Sequence, residues 1–275
     1  MSLLVELDGV QLAVQDVGDG PPIVLLHGVT ATSEHVVMGS RVLASSGLRV
    51  VSYDARGHGR SSAAPAATGY GYPALLQDLV AVLDSAGIDR AILVGASMGG
   101  HTALGCALAF PERVAALAVI TPAFDPDTRA GSTDNQWHEL ASALRDTGID
   151  GFLEAYGRLA VTAAWREPVL DEIRRRMALH GDLLAVADAL DCSSDSRPFE
   201  YFSDLGKITV PVLVVATRDE PDPLHPLQLA RRYVATLPSC ELLEDDEGQV
   251  PLAWQGGRLS RRLADFALSA PGWDD

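Results

Sequence analysis

An α/β fold is predicted for this chain of 275 residues, with a mostly parallel sheet flanked by helices and a helical cap inserted between the sixth and seventh strands. Three observations predict it. Short runs of β-branched and aliphatic residues alternate with longer stretches of helical periodicity, the pattern of repeated strand–helix–strand crossovers. The opening run LLVELDGVQLAVQDVG places Asp8 and Gly9 between two alternating stretches, which marks an antiparallel hairpin. One interval of roughly 80 residues, between Phe124 and Leu205, is far longer than the dozen or so residues that one crossover needs.

In chain order, the hairpin is followed by the strand IVLLHG, a helical pattern over 33–46 and the strand LRVVSYDARG. A helix over 72–86, the strand AILVGAS, a helix over 97–110 and the strand ALAVITP come next. The long interval carries Trp137, Trp165 and amphipathic patterns around 167–180 and 182–190, so it reads as a helical cap and not as a structureless loop. Beyond it lie the strand PVLVVAT, a helix over 226–237, the strand CELLED and a helix over 257–268. The expected division is a core of 1–124 and 206–275 with a cap of 125–205.

Hydrophobic residues make up 47% of the chain, ample for a buried core. A formal charge of −16 argues against nucleic acid or an anionic membrane as partner, because the long-range field repels phosphate. Neither a charged-then-apolar leader nor an apolar run near the ~20 residues of a membrane helix is visible, so a soluble, cytoplasmic protein is expected. Cys106, Cys192 and Cys240 are widely spaced and form no CxxC pair, and no HExxH or close histidine pair occurs. No disulfide framework, metal or cofactor is expected, and oligomeric state is not legible.

The six residues GASMGG, 95–100, carry the chemistry. In G-x-S-x-G the serine occupies a strained strand-to-helix turn, and small neighbours are needed because the backbone packs tightly there. Ser97 would stand at the C-terminal edge of the sheet with its hydroxyl accessible. The N–H of Met98, at the helix start, would face a developing negative charge. A second donor is the N–H of Val29 in LLHGVT, where Gly28 permits the tight turn and His27 is expected to anchor the loop through its backbone. Pocket-lining candidates are His27, Gly28, Val29 and Met98, with Trp137, Phe152, Tyr156 and Trp165 from the cap.

HGVT, DARGHGRS and GASMGG, in this order and spacing, resemble the α/β-hydrolase superfamily, and the likeness covers nearly the whole chain. The resemblance implies that an acid follows the strand PVLVVAT and a histidine the last strand, in the order serine, acid, histidine. The loop RDEPDPLHP supplies Asp219 and Asp222, and both remain candidates: Asp219 by its distance from the strand, Asp222 by its distance to Pro226. A Gly–His pair is implied after CELLED, but Gly248 is followed by Gln249, and no histidine lies beyond His225. An amide is essentially non-basic and cannot take the serine proton.

The substitute of most interest is His225, three residues past Asp222 and at the same sheet edge as Ser97. His101 should face the interior and His58 a turn, while His35, His138 and His180 are more remote candidates. The leading expectation is a serine hydrolase acting on a small carboxylic ester or lactone. The alternatives are a catalytically silent or ligand-binding protein of the same fold, or a member performing acyl transfer, C–C cleavage or cofactor-free peroxidation.

Overall fold

The computed structural model describes residues 2–127, 133–159 and 161–270. Eight strands form one sheet in the order β1-β2-β4-β3-β5-β6-β7-β8. The hairpin is β1 (Ser2–Leu7) and β2 (Val10–Val17), turned at Asp8 and Gly9, both at positive φ. β2 pairs antiparallel with β4 (Arg49–Tyr53). From there the sheet is parallel through β3 (Pro22–Leu26), β5 (Ala91–Ala96), β6 (Val114–Ile120), β7 (Val212–Ala216) and β8 (Cys240–Glu244).

The central strands are apolar at every position because both sheet faces are covered, and their side chains alternate between two cores. Val24, Leu26, Leu93, Leu117, Val119, Val212 and Val214 face one side. They pack with Leu79, Val82 and Leu83 of α2 (Tyr72–Ser85), Leu104 of α3 (Met98–Ala109) and Tyr233 of α7 (Leu227–Thr236). Ile23, Leu25, Ile92, Val94, Leu213 and Val215 face the other side, against Leu43 of α1 (Val42–Ser45) and Leu259 and Leu263 of α8 (Gly256–Ser269).

The helix expected over 33–46 is not continuous. A single 3₁₀ turn at Ser33–His35 and the short α1 are separated by Met38 and Gly39, both at positive φ (47° and 68°). Left-handed backbone at two successive residues cannot propagate a helix.

Between β6 and β7 lie α4 (Thr133–Tyr156), kinked at Gly148, α5 (Ala163–Met177) and α6 (Leu183–Asp195). Leu140, Leu144 and Phe152 of α4, Ile173 and Met177 of α5 and Val186 and Leu190 of α6 form a third apolar cluster, which also takes in Val29, Met98 and Leu224 from loops and the helix start at the C-terminal sheet edge. The inserted helices are therefore packed over that edge. Among the described residues, no helix is long and apolar enough to cross a membrane.

Candidate active site

Ser97 joins β5 to α3 with φ 48° and ψ −114°, a conformation that non-glycine residues avoid. Its neighbours make the turn possible. A Cβ on Gly95 would collide with the backbone of Gly99, and one on Gly99 with the carbonyl of Leu26 in β3. Only glycine lets α3 lie this close to the sheet, and the Ser97 N–H, which donates to Ile120 O at 2.9 Å, ties the turn to β6.

The loop leaving β3 is built on buried histidines. His27 Nε2 accepts from the Ala55 N–H at 2.8 Å while its Nδ1–H donates to Gly28 O at 2.8 Å. Burial, with His58 close by, pushes His27 down to about 3. His58 lies against Val29 O (2.7 Å) and Arg56 O (2.8 Å), and the Gly59 N–H donates to His180 Nδ1 at 3.0 Å. Asp54 accepts from both the N–H and the hydroxyl of Ser33 (2.9 and 2.7 Å). This buried network holds the backbone of residues 27–33. Among the described residues, the N–H groups of Val29 and Met98 have no protein acceptor, and both residues line the cavity that Ser97 opens into.

The histidine that meets Ser97 comes from the loop after β7. His225 Nε2 lies 2.9 Å from Ser97 Oγ, and His225 Nδ1 lies 2.8 Å from Asp222 Oδ1. With the proton on Nδ1 donated to the carboxylate, the lone pair of Nε2 faces the serine hydroxyl, the tautomer that proton acceptance requires. A short turn makes this possible: the His225 N–H donates to Asp222 O at 3.2 Å, so residues three apart fold back on each other. Both side chains are largely shielded, at 14% and 13% exposure.

Asp219 is used differently. Its Oδ1 accepts from the Leu227 N–H at 2.7 Å, satisfying a donor at the start of α7, and it does not meet a histidine. Gln249 is exposed in the turn after β8 and lines neither cavity beside Ser97. His101 is buried, its Nε2 accepting from the Ala123 and Phe124 N–H groups (3.0 and 3.1 Å) and its Nδ1 lying 2.9 Å from Tyr72 Oη. His138 pairs with Asp191 at 2.7 Å.

Two cavities meet at Ser97. One, of about 530 Å³, is bounded by Met98, Phe124, Gln136, Trp137 and Arg232. The other, of about 130 Å³, is enclosed by the β3 loop, His225, Phe152, Tyr156, Ile173 and Arg176. Of the candidate lining residues, Trp137 borders both, Gly28 the smaller, and His27 borders the smaller with both ring nitrogens committed to backbone. Trp165 borders neither; its ring packs edge-on to Trp254 at 5.9 Å. The sequence alone does not mark Arg176 as a site residue. It belongs to a run of three arginines that reads as a solvated helix face until the packing of α5 is known.

A family model described as alpha/beta hydrolase fold matches residues 21–155. The protein named "Putative carbamate hydrolase RutD" from Variovorax paradoxus is 31% identical over 265 residues, covering 92% of this chain and 95% of the relative. Its namesake from Agrobacterium fabrum is 29% identical with the same coverage. Among solved structures, Est816, described as an N-acyl homoserine lactone degrading enzyme, superimposes with a TM-score of 0.73 at 26% identity over 96% of this chain and 98% of its own. The esterase EaEST from Exiguobacterium antarcticum shares the fold, with a TM-score of 0.81 at 23% identity over 98% and 100% of the two chains.

Proposed function

This chain belongs to the α/β-hydrolase fold family, and from that premise we propose that it is a serine hydrolase of small carboxylic esters or lactones, using Ser97 as nucleophile, His225 as base and Asp222 as the group that orients the base. The observation that carries the proposal is the unbroken relay from Ser97 Oγ to His225 Nε2 (2.9 Å) and from His225 Nδ1 to Asp222 (2.8 Å). It supplies a base that position 249 does not.

In this reading Ser97 attacks the acyl carbon as His225 takes its proton, and the oxyanion forms beside the N–H groups of Val29 and Met98. His225 then returns the proton to the leaving oxygen. A water, deprotonated by the same imidazole, hydrolyses the acyl-enzyme. The inserted helices act as the cap, and their apolar cluster keeps bulk water from the relay. No cofactor enters this chemistry, and the partner is a small acyl substrate.

A second substrate reading follows from RutD, whose name specifies carbamate hydrolysis and which is 31% identical over most of both chains. A carbamate presents the same kind of carbonyl to the same relay. Both readings are tested with a fluorophosphonate probe and with p-nitrophenyl acetate, butyrate and N-methylcarbamate. Labelling at Ser97 and turnover that Ser97→Ala and His225→Ala both abolish are expected. Absence of labelling and of turnover in the unmodified protein would refute the proposal.

A further inference from the structure

We propose that Arg176 anchors an anionic group of the substrate, so that the ester or lactone processed at Ser97 carries a carboxylate on the portion occupying the smaller chamber. The inference rests on the serine-hydrolase reading above and narrows its substrate class.

Arg176, on α5, lines the same chamber as Ser97 and His225. Its Nε is cut off from solvent and has no hydrogen-bond partner. Its neighbours in the run are all satisfied: Arg174 Nη1 donates to Asp150 at 2.7 Å, and Arg175 donates through Nε and Nη2 to Glu172 Oε2 at 3.1 and 2.9 Å. Among the described residues, two carboxylates also border the chamber, and both are engaged elsewhere. Glu172 is held by Arg175, and Asp222 by His225. Among the described residues, no carboxylate pairs with Arg176. His35, on the same wall, is held below its ordinary value first by burial and then by the charge of Arg176, with Glu172 acting in the opposite sense.

A guanidinium that borders the chamber without a carboxylate partner is complementary to a carboxylate, which it can bind through two parallel hydrogen bonds. In a chain of net charge −16, whose long-range field repels anions, such a cation in the chamber that holds the nucleophile supplies a local attraction for them. The chamber, about 130 Å³, is well below the ~300 Å³ at which sites for larger ligands begin. The anionic portion is therefore short, on the scale of a succinyl or glutaryl group. The chemistry is that of a monoester of a small dicarboxylic acid, or of a small lactone that carries a carboxylate.

The test compares the full chain on mono-p-nitrophenyl succinate and on p-nitrophenyl butyrate, similar in length but differing in charge. The unmodified protein is expected to favour the anionic ester in kcat/KM. Arg176→Met should lower the anionic-to-neutral ratio by about 10- to 100-fold, the scale of one lost charge-assisted pair. Arg174→Met, which removes a charge from the outer face of the same helix, should leave the ratio as it was. Turnover without anionic preference, or a ratio unmoved by Arg176→Met, would overturn the anchor and leave the serine reading standing. A binding readout covers the converse: glutarate should raise the melting temperature of Ser97→Ala, and Arg176→Lys, which keeps the charge without the fork, should weaken that shift. If neither ester is turned over and the fluorophosphonate does not label Ser97, yet this Arg176-dependent shift persists, the anchor stands and the serine reading fails. If the shift is absent, the anchor fails.

Discussion

Lowering the pH from 7.5 to 5.0 should destabilise this protein before most of its carboxylates titrate. His27 and His101 are pushed down to about 3 and His180 to about 4, in each case first by burial. Each uses a ring nitrogen as acceptor for a backbone N–H, of Ala55, of Ala123 and Phe124, and of Gly59 respectively. Protonation would turn that acceptor into a donor facing a donor. In the unfolded chain these imidazoles protonate near ~6.5. Between that value and their folded values the unfolded state binds more protons, so stability is lost as the pH falls. At pH 5 the cost is about 2 kcal/mol for each histidine.

The three together are several kcal/mol, against a total of ~5–15 kcal/mol for a typical domain. His58 and His35, also held low by burial, act in the same sense. His138 acts in the opposite sense, since Asp191 raises it, but it is 40% exposed and its gain is screened by solvent. Urea unfolding followed by tryptophan fluorescence at matched ionic strength provides the assay. With m of ~3 kcal/mol/M, the midpoint should fall by about 2 M. Equal midpoints at pH 7.5 and 5.0 would refute the assignment of these histidines as neutral acceptors.

Three further outcomes separate the roles of neighbouring residues. Asp222→Asn should reduce kcat by about 10⁴-fold, because an amide favours the wrong imidazole tautomer, while Asp219→Ala should cost about 1 kcal/mol of stability through the lost contact with the Leu227 N–H and leave kcat intact; equal kinetic losses in both would contradict the geometry. Gln249→His should leave kcat/KM unchanged, since position 249 is exposed outside both cavities, and a gain in activity would show that the base acts from β8 and not from the β7 loop. Gly99→Ala should destabilise by about 3 kcal/mol, measured by urea unfolding, because its methyl group meets the Leu26 carbonyl and α3 must shift off the sheet.

Features that depend on near neighbours in the chain are legible in the amino-acid order. Alternation of apolar residues over a few positions marks each strand, and the glycines flanking Ser97 announce a turn that only they can form. The order of strands and the long interval after β6 likewise announce a sheet with an insert. Where local pattern misled, at 33–46, the reason was two left-handed residues, Met38 and Gly39, inside an apolar periodicity that continues across them. Encounters between distant residues emerge only from the folded chain. Asp219 and Asp222 are indistinguishable as letters on an acidic loop, and the path of that loop turns one toward a helix start and the other toward His225. The pairing of His225 with Ser97 spans 128 positions. Arg176 belongs to a run of three basic residues, and only the rotation of α5 against the sheet edge separates the unpartnered one from the two that are paired. Hydrogen bonds across such separations depend on the relative placement of whole elements, a property that no window of sequence contains.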